Sequence, residues 1–432
     1  MDSAAETIFA LSSGQPPAAI GIIRISGDRA FDGLARLIGS LPEPRKPSLR
    51  RLTDPVTDEP LDQALVIAFP GPNSASGEDL AEIHCHGGRA VVRAIESALD
   101  DMDGLRRAEP GEFTRRAFTN GRMDLAEAEG LSDLLFAETE MQRRAAVKMA
   151  GGALSRQIEG WQSEVLRLSA MVEAELDFSD EDDVTEGHSD TIQLGAANVA
   201  AELATLLCRP RAEKLREGVR IVLGGPPNSG KSTLLNALVE REAAIVSEIA
   251  GTTRDVIEVP IAIGGIPFLF IDTAGVRDQG VEEIERIGIN RARQQFDLAD
   301  IILWLGPEGD GPAHRNVIEI GARSDHPDYQ PKSDSIISVS PVTGEGMTTL
   351  VDMLVREAKD ILPAGDEVSV NNRQAGHLMG AQSYLENIAD HSDFLIIAEQ
   401  LRLVRSALDA ITGRASTEDM LDALFGKFCI GK

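Results

Sequence analysis

The sequence predicts a multidomain chain of α+β and α/β type, with an α+β amino-terminal domain followed by a discontinuous helical domain into which an α/β domain is inserted. Three observations carry this. Up to about Asn120 short apolar runs alternate with Pro/Gly clusters. Met123 to Leu176, and again about Arg373 to Leu424, place apolar residues at helical spacing, while strand-like and helix-like runs alternate from Val219 to about Leu362. For 432 residues, about two to three domains fit the usual ~100 to 200 residues per domain. The expected boundaries are 1–120, 121–217, 218–362 and 363–432, the second and fourth segments forming one helical domain.

In chain order, Ile20-Gly21-Ile22-Ile23 and Leu65-Val66-Ile67-Ala68-Phe69 read as strands, and Val91 to Leu99 as a helix. The Ala-, Glu-, Leu- and Arg-rich stretch from Met123 has no proline and reads as helix. The acidic run Asp177-Phe178-Ser179-Asp180-Glu181-Asp182-Asp183 reads as a solvated loop, because like charges repel and stay exposed. A further helix extends to about Glu217. Strands are expected at Val219–Leu223, Ile257–Ile263, Phe268–Ile271, Ile301–Leu305 and Ile336–Val339. Beyond Pro363-Ala364-Gly365, Phe394, Ala398, Leu401, Val404 and Leu408 mark one face of a helix.

The net charge of −28, from 70 acidic and 42 basic residues, argues against a protein whose main task is gripping bare phosphate backbone. Cys85, Cys208 and Cys429 are widely separated and odd in number, which disfavours a disulfide framework and fits a reducing compartment. The first residues lack a basic segment, and no apolar run approaches the ~18 residues that span a bilayer. A cytoplasmic protein with no membrane association is the expectation.

Gly225-Pro226-Pro227-Asn228-Ser229-Gly230-Lys231-Ser232 fits the phosphate-binding loop pattern G-x-x-x-x-G-K-[ST] after the apolar run Ile221-Val222-Leu223. In such a loop backbone N–H groups close around phosphate oxygens, Lys231 reaches the β and γ phosphates, and the Ser232 hydroxyl ligates Mg²⁺. The helix opening at Ser232-Thr233 adds its positive dipole end. Asp272-Thr273-Ala274-Gly275 follows the run Phe268–Ile271, placing an acid where it can hold Mg²⁺ through water and a glycine whose N–H can sense the γ phosphate. Between the two, Gly251-Thr252-Thr253-Arg254-Asp255 carries the hydroxyls of a switch loop, with Thr253 as the second Mg²⁺ ligand. This order and spacing describe an inserted Ras-like P-loop G domain.

Base selection is less regular. Ala322-Arg323-Ser324-Asp325 stands where Asn-Lys-x-Asp is usual, and it keeps only the Asp, whose carboxylate can accept the guanine N1–H and N2–H₂. Ser340-Pro341-Val342 stands where Ser-Ala-x contacts the base edge. Val276 occupies the position of the water-orienting Gln of Ras-like enzymes and cannot orient water. Glu282, Glu283 and Glu285 come after it, and composition does not rank them.

These residues resemble the MnmE (TrmE) family of tRNA-modifying GTPases over nearly the whole chain. The resemblance rests on Asp-Thr-Ala-Gly with Glu285-Arg286-Ile287-Gly288, on Ala250 to Asp255, and on Gly21-Ile22-Ile23-Arg24-Ile25-Ser26-Gly27. It extends to Gly77-Glu78-Asp79 with His86-Gly87-Gly88, to Pro110-Gly111-Glu112-Phe113, and to Phe428-Cys429-Ile430-Gly431-Lys432, the most specific of these motifs. The resemblance implies a potassium-dependent GTPase in which K⁺ takes the place of an arginine finger, held by Asn228, Ser247, Ile249 and Thr252 through oxygens that suit a hard cation. It matches the water-orienting acid to Glu285. The implied nucleotide contacts are Asn228, Ser229, Gly230, Lys231, Ser232, Thr233, Ser247, Glu248, Ile249, Ala250, Gly251, Thr252, Thr253, Asp272, Thr273, Ala274, Gly275, Asp325, Ser340, Pro341 and Val342.

The resemblance further implies a folate-binding amino-terminal domain that takes 5-formyl- or 5,10-methylene-tetrahydrofolate at a homodimer interface, through Arg24, Glu82, Arg122 and Lys432. A carboxylate such as Glu82 can take two parallel hydrogen bonds from a pterin. Arg122 replaces the lysine common there, keeping charge but changing geometry. Cys429 is a weak candidate for one-carbon chemistry, against a reading as a small apolar filler. His84-Cys85-His86 invites a metal, but on a strand the two histidines face one side and the cysteine the other, with no second ligand pair nearby. The implied activity is GTP hydrolysis that, with the flavoprotein MnmG in a heterotetramer or larger complex, installs an aminomethyl or carboxymethylaminomethyl group at C5 of the tRNA wobble uridine. The alternative is a ribosome-assembly GTPase switch resembling Era or Der, which would be expected to carry a basic RNA-binding module.

Overall fold

A computed structural model of the chain describes residues 6–177, 189–242, 257–272, 293–327, 329, 331–333, 337–363, 367–414, 418–426 and 428–431. They fall into two compact units, Met1–Ser132 with Asp409–Lys432, and Asp133–Leu408.

The first unit is built on a six-stranded sheet from β1 (Thr7–Leu11), β2 (Ile20–Ser26), β3 (Ser48–Thr53), β4 (Pro60–Phe69), β5 (Leu80–His86) and β6 (Leu105–Arg107). The order is β3-β4-β5-β2-β1-β6, antiparallel except for the β1–β6 pair. Side chains alternate across a strand, so Phe9, Ile23, Ile25, Val66, Ala81 and Ile83 share one face. Helices α1 (Ala30–Ile38) and α2 (Arg89–Asp100) cover it with Leu34, Leu37, Val92, Ile95 and Leu99. Each such fully buried Leu or Ile contributes about 1.5–3 kcal/mol. The alternate positions Arg24, Glu82 and His84 therefore point to the other face.

On that other face Ile8 and Ala10 pack with Phe113 of α3 (Glu112–Thr119), and α4 (Leu125–Leu135) comes next in the chain. The carboxy-terminal segment belongs to the same unit. Its last helix (Glu418–Phe425) sets Phe425 against Phe118 at 6.1 Å, and Phe428 against Phe425 at 6.0 Å. Gly431 explains part of the terminal motif: at φ +93° a Cβ there would lie 2.1 Å from the Leu11 carbonyl oxygen, so only glycine passes.

The second unit opens with α5 (Glu140–Ala150), α6 (Ala153–Asp177), α7 (Ser189–Leu207) and α8 (Ala212–Glu217). A capping box of Thr139 with Gln142 starts α5. The segment Ser189–Glu217 is long and apolar enough to cross a membrane by length and composition alone. Inside it, Ile192, Ala196, Val199, Leu203 and Leu206 of α7 are buried in the protein, while Leu194 is exposed.

The same unit holds a second six-stranded sheet, from β7 (Val219–Gly224), β8 (Ile257–Ile263), β9 (Ile266–Asp272), β10 (Ile301–Trp304), β11 (Val317–Ala322) and β12 (Ile337–Val339), with α9 (Lys231–Glu242) after β7 and α10 (Met347–Ile361) after β12. The order is β12-β11-β10-β7-β9-β8, parallel except for β8 against β9. Ile221, Leu223, Phe268, Phe270, Ile301 and Leu303 form its core with Leu234 and Leu238 of α9 and Leu350 and Leu354 of α10. Two helices, α11 (Asn372–Ile388) and α12 (Phe394–Thr412), come next, making the last helix of the chain α13. The sequence-expected strands are all present; β11 is one that sequence patterning did not pick out.

Candidate nucleotide site and amino-terminal ion-pair cluster

Parallel strands put their carboxyl ends on one edge of a sheet, where α/β proteins bind ligands. The register here aligns Leu223 with Asp272, Gly224 with Trp304, and Ala322 with Val339. The loops that leave β7, β11 and β12 therefore emerge at the same edge of the sheet as Asp272, β7 next to it and β11 and β12 further along. That brings Asn228 to Thr233, Asp272, Asp325 and Ser340 to Val342 to the same edge. Ser247 to Thr253, Thr273 to Gly275 and Glu285 lie outside the described residues, as does Lys432.

Within the loop Lys231 is 6% exposed, and its Nζ donates to the carbonyls of Gly225 at 2.7 Å and Pro226 at 2.9 Å. Burial pushes its pKa down, and the negative charge of Asp272 works in the opposite direction without reversing it. Neutral carbonyls are all that the ammonium touches in the loop, so an anion entering there would find a desolvated cation ready to turn to it. The Ser229 hydroxyl is buried with no hydrogen-bond partner among the described residues, a second sign that the loop is shaped for a polar ligand. The glycine at 230 (φ +98°) has the Arg323 side chain above its Cα, 3.4 Å from where a Cβ would stand. These features fit a bound polyphosphate.

The Ser232 hydroxyl donates to Asp272 Oδ2 at 2.7 Å. Asp272 is 3% exposed at the end of β9. An alcohol and a carboxylate paired this closely offer oxygen ligands of the kind Mg²⁺ takes, one directly and one through water. Thr233 is exposed at the start of α9. Asn228 is exposed too, with a left-handed backbone (φ 62°) rare outside glycine, and its carbonyl accepts a hydrogen bond from Arg323 Nη1 at 3.2 Å.

On the base side Asp325 Oδ1 accepts the buried Ser340 hydroxyl at 2.6 Å, and that bond, together with lesser effects, holds the carboxyl below its usual value. Ser340 in turn accepts the Thr343 N–H at 3.1 Å, and the Ser324 hydroxyl donates to Glu345 Oε2 at 2.9 Å. The exposed Asp325 is thus aimed by a serine that is itself fixed. Pro341 is half-buried and Val342 exposed. Sequence reasoning did not anticipate the contacts of Arg323 or Glu345 at this edge; the only signal was that Arg323 stands inside one base motif and Glu345 three residues after the other.

In the first unit Arg24 donates to Glu82 Oε1 through Nε at 3.2 Å and Nη2 at 2.8 Å, while His84 Nε2 lies 3.2 Å from Oε2. Arg24 and Glu82 are directly opposed on β2 and β5, and the guanidinium sits 5.8 Å from the Phe113 ring centre. Burial pushes the Glu82 carboxyl up, but the bonds from Arg24 and His84 push it down further, so it stays below the ordinary carboxylate value. Arg122 is exposed, and no hydrogen bond among the described residues ties its side chain to the pair. Cys429 is exposed, and its carbonyl accepts the Gly111 N–H beside the Pro110–Ile430 bridge.

Cys85 is buried, its thiol pushed up to about 11 chiefly by burial, and His86 turns instead to Asp62 at 2.8 Å. Among the described residues no group of His, Cys, Asp and Glu is arranged to hold a metal ion. Nearby, Glu112 accepts from Arg106 at 2.6 and 2.8 Å and from Arg116 at 3.0 Å, and Arg116 also reaches Glu78. This network was not visible in the sequence.

The comparisons with known proteins agree with one another. A family model described as "GTP-binding protein TrmE N-terminus" matches residues 7–122, and one described as "MnmE helical domain" matches residues 125–429. Proteins named tRNA modification GTPase MnmE from Novosphingobium aromaticivorans and Erythrobacter litoralis are 56% and 59% identical over 99% of this chain and 100% of their own. One from Rhizorhabdus wittichii is 52% identical over 100% of this chain and 97% of its own.

Proposed function

This chain belongs to the MnmE family of tRNA modification GTPases, and on that premise we propose that it is a potassium-activated GTP hydrolase that works as a homodimer with the flavoprotein MnmG. Together they would add a carboxymethylaminomethyl or aminomethyl group to C5 of the tRNA wobble uridine, with a tetrahydrofolate supplying the carbon. The observation that carries the nucleotide part is Lys231, buried and, among the described residues, hydrogen-bonded to the carbonyls of its own loop, beside the Ser232–Asp272 pair.

In this reading Ser232 and Thr253 would hold Mg²⁺, whose charge would offset that of the β and γ phosphates. Lys231 turns from Gly225 and Pro226 to the phosphates, and loop N–H groups take the remaining oxygens. Asn228, Ser247, Ile249 and Thr252 offer oxygens to K⁺, and Glu285 orients water in place of the absent Gln. Asp325, with Ser340 behind it, reads the guanine edge. The boundaries at 120, 217 and 362 make the G domain an insertion whose cycling is available to drive the rest of the chain.

Arg24, Glu82, Arg122 and Lys432 are assigned to the folate, and Cys429 to its one-carbon chemistry. The donor set suits a pterin: Glu82 offers two carboxylate oxygens on a half-buried face next to the aromatic Phe113. Both oxygens already have partners in Arg24 and His84, so the ligand must share or displace the His84 contact. The experiment is the nucleoside mass profile of tRNA from a strain lacking this protein. Loss of a C5 modification at the wobble uridine is expected; an unaltered profile would turn the assignment toward a ribosome-assembly switch.

A further inference from the structure

The helical part of the second unit carries a polar groove between α6 and α7 that neither the phosphate loop nor the amino-terminal ion pairs use. We propose that this groove binds the phosphate of a nucleotide, either free or within an RNA strand, with Arg156 and Arg209 as its anion-binding residues.

The first observation is how the arginines are held. Arg156 of α6 and Arg209, just past the end of α7, line the same groove of about 670 Å³ and also an adjoining hollow with Lys148. Arg156 Nη1 donates to the Gly151 carbonyl at 2.8 Å, and Arg209 Nη1 to the Val368 carbonyl at 3.2 Å. Glu367 stands 3.7 Å from Arg209 Nε, beyond hydrogen-bond reach. In a chain of 70 acidic and 42 basic residues, two guanidiniums brought together and bonded to neutral carbonyls are placed for an anion from outside. The second observation is Gly160, in the interior of α6, which lines the groove and whose Cβ would meet nothing within 4 Å. Glycine weakens a helix relative to alanine, and the packing of the chain itself does not require it here. Gly195 of α7 is the opposite case, with Leu168 Cδ2 2.6 Å from the place of its Cβ. At Gly160 the bare backbone keeps room open above α6.

The charge layout narrows the ligand. Trp161 Nε1 donates to Glu202 Oε2 at 2.7 Å, while Arg156, earlier on α6, shares the groove with Arg209, later in the chain than α7, so the two helices run antiparallel. The arginines therefore stand together at one end, and Glu164 and Glu202 line the other. Repulsion from the acids confines an anion to the arginine end. Glu164 is held by Arg167 at 2.6 Å, which leaves Glu202, bonded to the indole through one oxygen, as an acceptor for ligand N–H groups. A helical rise of about 1.5 Å per residue separates Glu202 from the Arg209 end by about 10 Å, close to the span of a nucleotide. A phosphate has the charge and the oxygens to take a fork from each guanidinium, and a base carries N–H donors for the acid. An acidic peptide offers carboxylates to the first end but no base to the second.

The test titrates the full chain, with GDP present in excess to occupy the phosphate loop, against a short fluorescein-labelled oligouridylate over a range of KCl, with uridine 5′-monophosphate as competitor. Arg156 and Arg209 changed together (R156A with R209A) should weaken binding about tenfold or more and lower the salt slope by about 1.4, the value for two lost contacts to a single strand. G160L, whose side chain enters open space and leaves the fold standing, should weaken it as well. R143A with R402A removes the same charge from arginines paired to Glu140 and Glu399 on their own helices, and should bind as wild type does. Displacement by the mononucleotide identifies a free nucleotide as the ligand, and resistance to it identifies a strand; either supports the site. Full affinity in R156A with R209A or in G160L overturns the inference, as does an equal loss in R143A with R402A or wild-type protein that binds neither probe. Polyglutamate displacing the probe as readily as unlabelled RNA overturns it in favour of an acidic protein segment.

Discussion

The two polar clusters of this protein hold their cations in opposite ways. At the nucleotide edge Lys231 leans on neutral carbonyls of Gly225 and Pro226. In the amino-terminal unit Arg106 and Arg116 are locked onto Glu112, and Arg24 onto Glu82. The first arrangement is provisional: its groups would gain more from a phosphate than they have now. The second is already satisfied. Mutations at the first should therefore change binding with little effect on folding, and mutations at the second should change folding first.

The largest expected effect is on nucleotide affinity. Lys231→Ala should weaken GTP binding by about a hundredfold or more, the value of two lost bonds to charged oxygens, with unfolding free energy changed by less than about 1 kcal/mol. Calorimetric titration beside urea unfolding reads both; a loss under tenfold would break the contrast. Next comes Glu112→Gln. Glu112 and Arg116 are 9% and 8% exposed, and removing one partner of a buried pair costs about 3 kcal/mol or more. Urea unfolding should show that loss in the amino-terminal unit while GTP affinity stays as it was.

A pH series sharpens the same point at Glu82, whose ordinary value of 4.5 is lowered in the folded protein. A depressed folded-state value means that its stabilising effect is full above pH 4.5 and is lost as pH falls from there through the lower folded value. Unfolding measured from pH 6 to pH 3 should show this decline, and Glu82→Gln should flatten it. The smallest effect is expected from Ser340→Ala, which frees Asp325 without removing it. GDP affinity should fall about two- to tenfold, with ATP still rejected.

The same contrast governs how much was legible in the sequence. The phosphate loop, Asp272 and Asp325 were readable because their chemistry depends on residue type at short, fixed spacing after a strand. β11 was not, because Val317-Ile318-Glu319-Ile320-Gly321-Ala322 carries a charge and a glycine; its strand form comes from parallel pairing with β10 and β12 on either side. Arg24 and Glu82 are 58 residues apart, and only the sheet register makes them neighbours. The resemblance to a family named them, but nothing local shows that they pair with each other or that His84 shares the acid. Arg323 was noted as a departure from a motif, and its contact with Asn228 required the fold.

The proposed potassium activation, with Asn228 as one of the cation's ligands, is tested most directly by the initial rate of GTP hydrolysis by the full chain in equal concentrations of KCl and NaCl with Mg²⁺ present. A rate much higher in K⁺ is the predicted result. Equal rates in the two salts would contradict it.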